Sequence, residues 1–241
     1  MLKTFEIVIP AYNEEQIIET NLRRVYQSLE QTFPHAPWIL TLANNSSDDQ
    51  TGEIGRALMN QRPNLQVRDV WPKGKGQAIY QSWKASDADV VAFLDADLAV
   101  PPDEIKKLII PMQEGFQAVI GCRHIPGAQV QREFVRQLTS YGYNKIVNLI
   151  LKTPYHDHQC GFKAMNRQLF LSIEPLLEER QWFFDTELLY LLHRKSIAVI
   201  EVPVIWQDQS NRPSRVTSLN NNIRQGLHLV RRLKKRRLSF D

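Results

Sequence analysis

Short apolar runs alternate with longer runs in which apolar residues recur every third or fourth position along the first half of the chain. Phe5–Ile9 reads as a strand, and Ile18, Leu22, Val25 and Leu29 then share one helical face. Asn13, with Gln16 three positions later, resembles a capping box at the start of that helix. Trp38–Ala43 predicts a second strand, Thr51–Asn60 a short helix and Leu65–Val70 a third strand. Lys73-Gly74-Lys75-Gly76 opens a helix that ends before Asp89. Val90–Leu94 is an unbroken apolar strand, Pro101-Pro102 begins a helix that stops at Gly115, and Ala118–Gly121 is a further strand. This alternation predicts an α/β fold with a mostly parallel sheet covered by helices.

The second half is less regular. Phe134–Leu151 predicts a helix, Cys160–Met165 an extended segment, Asp185–Arg194 a helix and Ile197–Trp206 a strand. From Leu219 onward, Ile223, Leu227, Val230 and Leu233 recur at helical spacing beside basic residues. No repeat, low-complexity stretch or linker interrupts the chain. The expected organisation is one domain over residues 1–218 and a basic amphipathic appendage over 219–241.

Charge sharpens that division. There are 30 Lys and Arg against 26 Asp and Glu, a net +4, and seven of the cations against one acid lie after residue 218. The tail is therefore +6 and the body −2, which argues against a nucleic-acid-binding body and for a basic tail on a mildly acidic globule. Cys122 and Cys160 lack CxxC spacing, so neither a disulfide framework nor a zinc site is expected, and a reducing compartment fits. No apolar run approaches the ~18–20 residues of a membrane span, and residues 1–10 do not read as a signal peptide.

The candidate chemistry is concentrated at strand ends. Val90–Leu94 runs straight into Asp95-Ala96-Asp97. Two carboxylates one residue apart, at the carboxyl end of a buried strand, suit a hard cation that in turn holds phosphate oxygens. Solvated turn acids are the plain alternative. Two more polar loops, Pro10–Glu15 and Asn44–Asp49, follow strands that a parallel sheet would bring to the same edge. Tyr12 would stack on a base there, and Asn44 or Asn45 would pair with a base edge.

These segments resemble a family 2 glycosyltransferase of the GT-A fold, in the branch that loads a sugar onto dolichyl or another polyprenyl phosphate. The resemblance rests on Pro10–Glu15, Gly74-Lys75-Gly76, Asp95-Ala96-Asp97, Arg123, Arg136 with Ser140, Asp157–Lys163 (DHQCGFK), Trp182–Leu189 (WFFDTELL), Glu201–Val204 and Ser214–Val216. It implies a GT-A, Rossmann-like sheet, with the nucleotide held by Pro10, Tyr12, Glu14, Asn44 and Asn45. Mg²⁺ or Mn²⁺ would sit on Asp95 and Asp97. Relatives carry two Asp and a Gly where Asn44, Asn45 and Ser46 stand here. An Asn carbonyl accepts uracil's single ring N–H, whereas guanine's two adjacent donors suit a carboxylate better, so UDP-glucose is the favoured donor ahead of GDP-mannose and UDP-N-acetylglucosamine.

A phosphate acceptor changes what the site must do. Its second pKa is ~6, so it is largely dianionic at neutral pH and needs little help from a base. The site must instead hold phosphates together with cations. Arg123, Arg136 and Lys163 are expected at the reacting centre, and Arg212 and Arg215 near the donor. Asp157 is expected beside the reacting carbon, as an orienter of the acceptor, a weak base or a cap on the next strand. Asp185 and Glu187 suit a helix start as well as a site, and a zinc triad of His156, Asp157 and Cys160 lacks further ligands. The expected partners are a nucleotide sugar, a polyprenyl phosphate and the membrane surface. The enzyme would be peripheral on the cytoplasmic face, docked by its tail or by a membrane-protein partner, with no nucleic acid involved. Transfer to a soluble hydroxyl, or nucleotide-sugar binding without turnover, are the alternatives.

Overall fold

The computed structural model of the protein describes residues 2–131, 134–208, 226 and 230–233, the side chains of 134–136 excepted. Its elements in chain order are β1 (Phe5–Ala11), α1 (Ile18–Thr32), β2 (Trp38–Asn44), α2 (Thr51–Met59), β3 (Leu65–Asp69), α3 (Lys75–Ala85) and β4 (Val90–Leu94). A 3₁₀ turn leads into α4 (Ile105–Gln113), followed by β5 (Ala118–Cys122), β6 (Gln129–Gln131), α5 (Phe134–Leu151), β7 (Phe162–Asn166) and α6 (Arg167–Ile173). The last three are α7 (Phe184–Arg194), β8 (Ile200–Pro203) and β9 (Ile205–Gln207).

Seven strands form one sheet in the order β3-β2-β1-β4-β7-β5-β8. All pairings are parallel except those of β7, which runs antiparallel between β4 and β5. Every residue of β4 is buried because both faces are covered. Val90, Ala92 and Leu94 pack on the side of α1 and α4, while Val91 and Phe93 pack with Trp83 of α3, Phe170 of α6 and Leu188 of α7. That two-sided burial is what makes β4 read as a continuous apolar run.

Two expectations are corrected by the structure. Asn13 does not cap α1: the helix begins at Ile18 behind Ile17, which offers no side-chain cap. Asn13 instead adopts φ +53°, its backbone N–H donates to Ser47 Oγ at 3.1 Å, and its amide bonds Asp48. It ties the first site loop to the second. Ile197–Trp206 is not one strand: Pro203 ends β8, Val204 donates to Cys122, and Ile205 begins β9 in a separate two-stranded sheet with β6. The sequence reading also passed over α6, whose first turn is capped by Asn166 accepting from Leu169 N at 3.0 Å.

The C-terminal stretch packs on the domain where it is described. Val230 and Leu233 are buried with Val147 and Leu151 of α5 and Phe183 and Tyr190 beside or on α7. Two of the four apolar positions in the predicted stripe therefore face protein. Ile223 and Leu227 lie outside the described residues.

Candidate functional site

Parallel order places the loops after β1, β2 and β4 side by side at the carboxyl edge of the sheet, with Ala11 paired to Asn44. Each loop contains one non-glycine residue in the left-handed region: Asn13, Ser46 and Leu98. Such backbone persists only where surrounding bonds hold it, and such residues cluster at functional sites. Ser46 is held by its hydroxyl donating to Val70 O at 2.8 Å. The loops are stitched together by Asn45 N to Ala11 O at 2.8 Å and Glu14 N to Thr51 Oγ1 at 2.7 Å.

The five residues expected to hold a nucleotide are gathered here, with different partners. Pro10 is buried as part of β1, and Glu14 is nearly so. The Lys73 ammonium sits 3.3 Å from the centre of the Tyr12 ring. Asn45 Oδ1 accepts from Gly74 N at 2.8 Å, pinning the loop that leads into α3. Asn44 donates through Nδ2 to Asp69 Oδ1 at 2.7 Å.

Asp95 and Asp97 follow β4 directly. Lys75, in the first turn of α3, pairs with Asp95 Oδ1 at 2.6 Å. Burial lowers its affinity for a proton, but the charges of Asp95 and Asp185 outweigh this and hold the ammonium above its usual range. Asp97 accepts from Ala99 N at 3.1 Å, and burial, then the charge of Asp95, pushes its carboxyl up to about 6. Gly161, next to β7, lies so close that a Cβ there would overlap the Asp95 carboxylate.

These oxygens fit a divalent cation. Asp97 is buried and crowded by Asp95 and Glu14, which the Ala99 N–H and Lys75 offset only in part, so added positive charge would relieve the cluster. Among the described residues no group of three or more His, Cys, Asp or Glu could hold a metal. An ion on Asp95 and Asp97 would complete its shell with water and ligand phosphates, the usual habit of Mg²⁺.

Two further buried ion pairs lie on the β5–β7 side. Arg123 clasps Asp157 with Nε to Oδ2 at 2.7 Å and Nη2 to Oδ1 at 2.8 Å, and its backbone N–H adds a bond at 3.1 Å. Gln159 N completes the set at 3.2 Å. Although burial opposes ionisation, the guanidinium holds Asp157 far below the carboxylate range. Lys163 Nζ forms an ion pair with Asp185 Oδ1 at 2.8 Å and donates hydrogen bonds to Cys160 O at 2.6 Å and His158 O at 3.2 Å. Lys75 and Lys163 flank Phe93, 5.4 and 5.8 Å from its ring centre.

Arg123 and Lys163 are thus buried and tied to carboxylates, whereas the sequence reading aimed them at phosphates. Arg136 belongs to α5, but its side chain, like Arg212 and Arg215, lies outside the described residues. His156 is drawn to Glu201 through Nδ1 to Oε2 at 2.7 Å. His158 is buried, and its Nε2 meets Thr153 and Asn148. The sequence reading did not assign Lys75, Gly161 or Asp69 to the site. Lys75 stood in the Gly-Lys-Gly segment it quoted. Gly161 lies within the Asp157–Lys163 segment that carries the resemblance, whereas Asp69 has no local signal.

Comparison with known proteins places the chain among sugar transferases. The Glycosyl transferase family 2 model matches residues 6–173. Glycosyltransferase AglD of Haloferax volcanii is 30% identical over 93% of this chain, which spans 36% of AglD. The dolichyl-phosphate beta-glucosyltransferase ALG5C of Trichomonas vaginalis is 29% identical over 92% of the chain and 68% of its own length. The yeast dolichyl-phosphate beta-glucosyltransferase is 28% identical over 84% and 66%. In fold the chain resembles the Mycobacterium tuberculosis glucosyl-3-phosphoglycerate synthase bound to UDP, with a TM-score of 0.72, 23% identity and coverage of 98% of this chain and 82% of that one. The same synthase has been crystallised with Mn²⁺, UDP and phosphoglyceric acid.

Proposed function

We propose that this chain, which belongs to glycosyl transferase family 2, moves a hexose from a nucleoside diphosphate to a polyprenyl phosphate, with UDP-glucose as the donor. The dolichyl-phosphate glucosyltransferases to which it is similar along most of its length support the acceptor class. One observation of the site carries the choice between phosphate and hydroxyl. Asp157 and Asp185, the carboxylates on the β7 side, are each buried against a cation. An alcohol acceptor needs a carboxylate poised to take its proton. Asp157, saturated by four N–H bonds and held ionised, is a poor proton acceptor, whereas a phosphate dianion arrives ionised.

In this reading Tyr12 and Asn44 hold the base, and Lys75 keeps the Asp95 carboxylate in place. Asp95 and Asp97 would hold Mg²⁺ or Mn²⁺, which supplies positive charge to the diphosphate that leaves the sugar. Arg123 and Asp157 act as positioning residues. Their pair joins the end of β5 to the loop before β7 and so fixes the floor on which the acceptor phosphate lands.

No helix among the described residues is long and apolar enough to cross a membrane. In this reading α5 offers the lipid a surface. Leu138 (60% exposed), Tyr141, Ile146 and Leu149 (81% exposed) line its outer face beside the exposed Lys145. The same helix reaches the site, since Ser140 Oγ lies 3.4 Å from Arg123 Nη2. An apolar face with basic neighbours suits the headgroup boundary of a bilayer. The buried free thiols Cys122 and Cys160 suit its cytoplasmic side. The test is an assay with Mg²⁺ or Mn²⁺, a labelled nucleotide-sugar panel and a short polyprenyl phosphate. Organic-extractable label from UDP-glucose is the expected result. Label passing only to a soluble hydroxyl, or no transfer from any donor, overturns the proposal.

A further inference from the structure

We infer that Asp69, held by Arg56, is a positioning residue that orients the Asn44 amide and thereby sets the base preference of the nucleotide site. The inference rests on the proposed donor site and adds how that site tells one base from another. Asn44 ends β2 directly opposite Asp69, the last residue of β3. An amide can turn either its oxygen or its nitrogen toward a neighbour, and it presents opposite chemistry in the two cases. The choice is decided here because Asp69 is a carboxylate and only accepts. Nδ2 donates to Asp69 Oδ1 at 2.7 Å, so Oδ1 is the atom turned elsewhere.

Arg56 of α2 holds the carboxylate that makes this decision. Its Nη1 lies 3.1 Å from Asp69 Oδ2 and 3.3 Å from Oδ1. The pair is exposed, so its role is geometric rather than a source of stability. Gly52 of α2 packs against the same amide, since a Cβ there would stand 2.7 Å from Asn44 Nδ2. The consequence is a buried Asn44 Oδ1 with no hydrogen-bond partner among the described residues. An acceptor left in that condition is costly, and a ligand N–H would satisfy it.

The ligand chemistry follows from the count. A single fixed acceptor matches uracil, which has one ring N–H between two carbonyls. Guanine presents two adjacent donors and would leave one unmet, which a site penalises strongly. A carboxylate at position 44 would need no orienting partner because either oxygen accepts. Asn at 44 does need one, and Asp69 supplies it.

Titration calorimetry of UDP and GDP with Mg²⁺ tests this on wild type, Asp69→Ala, Asn44→Asp and the double variant, with melting curves confirming each fold. Asp69→Ala frees Arg56 to recruit Asn44 Oδ1, and UDP affinity is expected to fall about tenfold, the size of one hydrogen bond. Adding Asn44→Asp should restore it, a rescue that loss of a merely structural contact would not give. Wild type that binds UDP while Asp69→Ala binds it equally well overturns this inference and leaves the proposed function standing. So does a double variant no tighter than Asp69→Ala. Wild type that binds GDP in preference to UDP overturns this inference together with UDP-glucose as the donor, and wild type that binds neither nucleotide overturns the donor site altogether.

Discussion

Gly161→Ala is a one-methyl test of how the carboxylate pair is positioned. A Cβ at 161 would lie 2.6 Å from Asp95 Oδ1 and closer still to Oδ2, inside the 3.0 Å that real Cβ atoms respect. Backbone retreat is restrained because Asp95 N donates to Gly161 O at 3.2 Å and β7 is paired on both sides. The carboxylate must therefore yield by on the order of 1 Å, a displacement that typically costs about 10²-fold in rate at reacting groups. It would also leave Lys75, now 2.6 Å away, without its closest partner. The substitution touches the sheet edge and not its core, so a loss of about 1–2 kcal/mol in stability, or a few degrees in melting temperature, is expected. Transfer rate and metal affinity, measured on protein shown to be folded, report the outcome. Turnover within twofold of wild type at unchanged metal affinity would refute the argument that Gly161 exists to seat Asp95.

Arg123→Ala leaves the Asp157 carboxylate buried and unpaired and should cost about 3–5 kcal/mol in denaturant unfolding, whereas replacing both members with apolar residues of similar size should recover most of that stability without restoring transfer. Acid should destabilise the fold through His158. Burial holds its imidazole at about 3 against a usual 6.5, so below pH 6.5 the unfolded chain takes up a proton that the native chain refuses. Stability should fall by up to about 1.4 kcal/mol per pH unit between 6.5 and 3, and urea melts of His158→Gln should show a shallower dependence over that window. Ser at positions 138 and 149 should weaken binding to anionic vesicles several-fold and leave UDP affinity as it was, which sedimentation with liposomes and calorimetry would check.

Much of this architecture was legible because burial on both faces leaves a local mark. β1, β2, β4 and β5 each appear as apolar runs, and Asp95-Ala96-Asp97 stood out because the run ends abruptly at it. What escaped depends on partners distant in sequence. β7 is antiparallel because it inserts between β4 and β5, a choice its own five residues do not record. Asn13 looks like a cap until the second loop, about 35 residues away, claims its amide. That Arg123 and Lys163 pair with Asp157 and Asp185 has no local record, because those pairs form only once β5, β7 and α7 come together. Lys75 finds Asp95 across 20 positions by the same kind of folding accident.

The most direct measurement is UDP affinity with and without Mg²⁺ or Mn²⁺ for wild type and Asp97→Asn. If Asp95 and Asp97 seat the cation that receives the donor's diphosphate, wild type should bind UDP at least tenfold tighter with metal present, and Asp97→Asn should lose that gain while keeping its fold. Equal metal enhancement in both proteins would contradict the account at its root.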